Sequence, residues 1–147
     1  DYLNAEGDQN KVATMSKQLV DKDNQVLIGI ATPSAQGLAS ATKDKPIVMG
    51  AVTDPVGANL VKDLKKPGGN ITGVSDHNPT VQQLKLIKEL TPSVKTIGIL
   101  YSTSEDNSKS QVEELQNWLK SRLQGRSLFC SFYKRNCFHC VCNVRQS

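Results

Sequence analysis

Val26-Leu27-Ile28-Gly29-Ile30-Ala31-Thr32-Pro33-Ser34-Ala35 is the stretch that decides the fold. Its first five residues are apolar or glycine and rich in aliphatic types, which predicts a short strand. The run has no polar alternation, as suits a strand buried on both faces of a parallel sheet. Thr32 then predicts a helix N-cap, with Pro33 at the first helical position, where a missing N–H costs nothing. Ala35, Leu38, Ala39 and Thr42 follow at i, i+3, i+4 and i+7, the spacing of one helix face.

The same grammar recurs on either side. Ile47 to Val52, Ile71 to Val74 and Thr96 to Leu100 are further short β-rich runs. Val12, Met15 and Leu19 share a helix face, with Asp8 as N-cap. Asn78-Pro79 repeats the cap-and-proline device ahead of Val81, Leu84 and Ile87. Ser108 and Gln111 form a capping box before Val112, Leu115 and Leu119. Pro67-Gly68-Gly69-Asn70 is a turn leading into the third strand. No internal repeat is visible. Strands alternating with helices predict an α/β fold with a parallel, Rossmann-like sheet.

The formal charge of +4 is unevenly placed. All 14 acidic residues precede Arg122, where basic residues balance them; the excess is Arg126, Lys134, Arg135 and Arg145. All four cysteines (Cys130, Cys137, Cys140, Cys142) and all three phenylalanines also lie beyond Arg122. A break this sharp predicts a boundary, with a body over 1–122 and a distinct tail over 123–147. No apolar run approaches the ~20 residues of a membrane span. The opening Asp1-Tyr2-Leu3-Asn4 has neither a Met start nor the pattern of a leader, so a removed leader or a fragment is expected. A body without cysteine fits an extracytoplasmic protein that needs no disulfides.

In parallel α/β sheets, ligands sit outside the carboxyl ends of the strands. Four polar loops are expected there: 31–34, 53–57, 75–78 and 101–106. Thr32, Ser34 and Thr53 would hold a carboxylate by hydroxyl and backbone N–H. Asp54 or Asp76 would accept from an ammonium group, with Asn78 beside them. Tyr101 and Ser104 would line a side-chain pocket. This set suits a small zwitterion such as an amino acid. Each residue alone reads more readily as a helix cap; the concentration of four loops at one edge favours a ligand.

Other classes are weaker. An α/β enzyme or nucleotide-binding domain lacks a phosphate loop, a dinucleotide fingerprint and a nucleophile elbow. Asp76-His77 beside serines is no evidence of a triad. Cys137-Phe138-His139-Cys140-Val141-Cys142 contains a C-x-x-C and a histidine, yet its overlapping spacings make a poor tetrahedral frame for zinc. The basic, aromatic tail carries no nucleic-acid-binding motif. No catalytic residue, cofactor or metal is expected.

The body resembles the ABC transporter substrate-binding proteins related to tryptophan- or tyrosine-binding receptors of Gram-positive bacteria. The resemblance rests on Ile28-Gly29-Ile30-Ala31-Thr32-Pro33-Ser34-Ala35-Gln36, Ala51-Val52-Thr53-Asp54-Pro55-Val56-Gly57-Ala58, Pro67-Gly68-Gly69-Asn70-Ile71-Thr72-Gly73-Val74-Ser75 and Ile99-Leu100-Tyr101-Ser102. It covers residues 1–122. It implies a type I periplasmic-binding-protein fold, two Rossmann-like lobes closing over a ligand. It further implies a lipid-anchored, extracytoplasmic receptor that hands an aromatic or branched amino acid to an ABC permease in the membrane.

By that resemblance the chain is an incomplete N-terminal lobe. A first strand, lying between a strand near Tyr2–Asn4 and the strand at 26–30, is expected to be missing along with its helix and most of the second lobe. Such a fragment is expected to bind weakly, because closure needs two lobes. One choice of synonymous codons for residues 122–140, read one nucleotide later, yields a string resembling the family's continuation. The tail from about Leu123 therefore reads as an out-of-frame translation.

Overall fold

The computed structural model describes residues 1–94 and 97–122, and the backbone of 139–143. The elements are α1 (Gln9–Asp21), β1 (Leu27–Ile30), α2 (Thr32–Ala41), β2 (Ile47–Val52), β3 (Ile71–Ser75), α3 (Thr80–Leu90), β4 (Gly98–Ser102), α4 (Asp106–Arg122) and β5 (His139–Asn143). The chain divides into two compact units, Asp1–His77 and Asn78–Ser147. The division falls inside the stretch read from sequence as one partial lobe.

The first unit holds a parallel sheet in the order β1-β2-β3. Leu27 pairs with Ile47 and Ile30 with Gly50; on the other side of β2, Ile47 pairs with Ile71. Leu27, Ile47, Met49 and Ile71 point to one face and are buried, together with Ala35 and Leu38 of α2 and with Ala58, Leu60 and Val61 of the loop after β2. Each such aliphatic side chain contributes roughly 1.5–3 kcal/mol on burial. Gly29 has a packing reason: a Cβ there would lie 2.8 Å from the Ala35 Cα, so α2 could not lie this close to the sheet. The β2–β3 register shifts between Met49 and Val52.

Burial along β1 alternates, which differs from the expected two-sided burial. Leu27 and Gly29 are buried, while Ile28 and Ile30 are each 66% exposed. The reason is one-sided cover: α2 packs on the Leu27 face, as the Gly29–Ala35 approach shows. Nor do Tyr2–Asn4 form a strand: among the described residues they pair with none. The segment instead walls a cleft of about 480 Å³ with α1 and β1.

The second unit packs Leu84 of α3 on Leu115 and Leu119 of α4, with Ile97, Ile99 and Trp118 against them. The Thr80 hydroxyl donates to Glu114 at 2.5 Å across these helices. β4 starts two residues later than the run suggested, and it is not a fourth strand of the parallel sheet. It pairs antiparallel with β5, Gly98 opposite Asn143.

The expected caps fare differently. Asp8 caps α1 as expected, its carboxylate accepting from the Asn10 and Lys11 amides. Ser108 lies within α4, which starts at Asp106, so it caps nothing. Asn78 gives way to Pro79 as the α3 cap, without a side-chain bond, and serves through its carbonyl, which accepts from the Thr80 amide. The zinc, nucleic-acid and out-of-frame readings of the tail concern side chains and segments outside the described residues.

Candidate ligand-binding site

Three loops leave the parallel sheet at one edge because their strands run the same way. The edge is knitted by the Ala31 amide donating to Gly50 at 2.9 Å and the Asp76 amide to Val52 at 3.2 Å. These bonds bring the start of α2, the loop after β2 and the end of β3 side by side. Thr32, Ser34, Thr53, Asp54 and Asp76 lie on these segments. Asn78, Tyr101 and Ser104 belong to the second unit. There the Ser102 and Ser104 hydroxyls lie 2.9 Å apart, and Tyr101 is half-buried in β4.

The start of α2 is the most distinctive feature. Thr32 is its first helical residue, and the N-cap is Ala31, whose methyl group offers the first turn no hydrogen-bond acceptor. The leading amides, those of Thr32 and Ser34 with Pro33 between them, have no side-chain cap. Orphan amides and the helix dipole together make such a terminus favourable to an anion. Thr32 is 2% exposed, and its hydroxyl has no hydrogen-bond partner among the described residues. Buried hydroxyls ordinarily find partners, so an orphan at this place asks for an explanation. Thr53 is buried on the neighbouring loop.

The two carboxylates have different surroundings. Asp54 accepts from the Gly57 amide at 2.8 Å, so one of its oxygens closes its own turn. Asp76 is exposed at the end of β3.

Two features were not legible. Ala31 has φ +66° and ψ +162°, a conformation that alanine gives no hint of in sequence. Gln36, one turn into α2, donates to the Ala58 carbonyl at 3.2 Å. Glutamine on a helix normally reads as surface. Among the described residues no group of His, Cys, Asp and Glu could hold a metal ion. Likewise no described helix is long and apolar enough to cross a membrane.

Known proteins share this body. A family model described as ABC transporter substrate binding protein matches residues 1–123. A tyrosine-binding protein of Clostridioides difficile (strain R20291) is 48% identical over 120 residues, which are 82% of this chain and 35% of that protein. An ABC domain from Streptococcus pneumonia, solved in complex with L-Trp, superposes with a TM-score of 0.79 at 70% identity. The match covers 83% of this chain and 42% of that one. A conserved domain protein from Vibrio cholerae o1 biovar eltor str. n16961 superposes with a TM-score of 0.77 at 45% identity, over 83% of this chain and 41% of that one. The chain therefore spans well under half the length of the relatives it matches.

Proposed function

The chain belongs to the ABC transporter substrate-binding protein family, and from that premise we propose that it supplies the carboxylate-holding part of a receptor for an aromatic amino acid. The buried, unpartnered Thr32 hydroxyl at the uncapped start of α2 carries this reading. A ligand carboxylate there would accept from that hydroxyl and from the Thr32 and Ser34 amides, with Thr53 on its flank. Asp76, exposed at the end of β3 with β2 between it and the start of α2, is the acceptor for the ammonium group. Asp54 shapes its loop, because an oxygen of its carboxylate is held by Gly57.

The aromatic ligand follows from two relatives, one named for tyrosine and one solved with L-Trp. In the whole protein the receptor would act outside the cytoplasm, tethered to the membrane, and pass its ligand to an ABC permease without chemical change.

Titration of the chain with L-tryptophan and L-tyrosine, followed by amide NMR, tests the assignment. The amides of Thr32, Ser34, Thr53 and Asp76 are expected to shift with either amino acid and to stay still with ATP or glucose. Thr32→Val should abolish the shifts while changing folding stability by no more than about 1 kcal/mol, since the lost hydroxyl has no partner to leave behind. Shifts that persist in Thr32→Val, or none with wild type at saturating amino acid, would overturn it.

A further inference from the structure

We propose that Gln36 is a positioning residue that clamps the loop after β2 to α2 and so fixes Thr53 relative to Thr32. The consequence for binding rests on the ligand reading above; the clamp itself rests on geometry alone.

Residues 54–61 form a loop closed on itself. The Gly57 amide donates to the Asp54 carboxylate at 2.8 Å, and the Ala58 amide to the Asp54 carbonyl at 2.9 Å. The Asn59 amide donates to Val56 at 3.0 Å, and the Leu60 and Val61 amides to Pro55 at 3.0 and 3.3 Å. Asn59 turns the chain with φ +57°, in the left-handed region that asparagine tolerates. A loop bonded internally in this way moves as one piece; Ala58, Leu60 and Val61 pack it into the core beside Ala35 and Leu38, and a hydrogen bond from α2 adds the directional tie that fixes it, and Thr53 at its root, relative to the helix.

Gln36 is such a fastening. Its side-chain amide donates to the Ala58 carbonyl at 3.2 Å, across 22 residues of chain and in partly buried surroundings. It stands four residues after Thr32, so both lie on one side of α2, one turn apart. The side chain that grips the loop therefore rises from the same helix face as the hydroxyl at the helix start. Glutamine suits the task in reach and chemistry: it is long, uncharged, and offers an N–H to a carbonyl. Glutamate has the same shape but, while ionised, no proton to donate.

Hydrogen exchange by mass spectrometry on the full chain tests the clamp with Gln36→Leu and Gln36→Glu. Exchange in 57–61 is expected to speed by about 3-fold or more in both variants at neutral pH, as loss of the bond to the Ala58 carbonyl loosens the loop. Exchange in α2 and β2 should keep its wild-type rate. Where wild type responds to L-tryptophan, both variants should need several-fold more of it. Unchanged exchange in 57–61, or an equal rise throughout the first unit, overturns the clamp; the latter would mark Gln36 as a general stabiliser. Failure of wild type to respond to L-tryptophan or L-tyrosine would instead count against the ligand reading, while the exchange data still decide the clamp.

Discussion

Ala31 sits at φ +66° and ψ +162°, where a Cβ is poorly tolerated and glycine is the usual occupant. Its neighbours hold it there: its amide is bonded to Gly50 on one side, and its carbonyl receives the Ala35 amide at 3.1 Å on the other. The strain lies between the last residue of β1 and the first of α2, where the first-turn amides acquire their direction. Ala31→Gly should therefore stabilise the fold. Relief of about 1–3 kcal/mol outweighs the ~0.5–1 kcal/mol entropic cost of glycine. The expected gain of about 1 kcal/mol would raise Tm by roughly 4 °C in a thermal melt. A lowered Tm would show that alanine is comfortable in this turn. Threonine is a capping type, so from the sequence Thr32 reads as the cap, one residue away; the backbone instead turns at Ala31 and leaves the threonine hydroxyl without a partner among the described residues.

Among elements, α1 shows how a helix end is completed from afar. Its last turn contains no basic residue. Lys45, just before β2, supplies one: its ammonium donates to the Val20 and Lys22 carbonyls at 2.8 and 2.7 Å. Asn24 adds a bond to Leu19 at 2.9 Å. These bonds satisfy carbonyls that a helix terminus otherwise leaves to water, and a cation there complements the dipole. Lys45→Met keeps the aliphatic stem and removes both bonds. Urea unfolding should show a loss of about 1–2 kcal/mol at unchanged m-value. The strands and helices themselves were largely legible, because β-rich runs and 3.6-residue periodicity mark where each element lies. The neighbour of a strand was not. The run at 96–100 looks like those at 26–30 and 47–52, yet β4 ladders with β5 instead of joining them. Apolar character marks a strand without saying which of its faces is covered, or by what.

At the scale of the whole first unit, the exposed face of its parallel sheet is the most consequential surface. Ile28, Ile30 and Val74 are 66%, 66% and 71% exposed, and Val48 beside them is 37% exposed. Parallel sheets are ordinarily covered on both faces, and contiguous apolar patches on soluble proteins ordinarily serve a contact. The native chain should consequently bind the dye ANS. Ile28→Thr combined with Val74→Thr should about halve that fluorescence without loss of far-ultraviolet circular dichroism. Undiminished fluorescence would place the dye elsewhere.

The order β1-β2-β3 carries a kinetic consequence. Leu27 finds Ile47, and Ile47 then finds Ile71, so every ladder joins strands that are consecutive in the chain. A ribosome releasing this unit delivers each strand just after the one it must pair with. The parallel sheet, a slow architecture when its partners are remote, can grow here in the order of synthesis, with each completed strand serving as the template for the next.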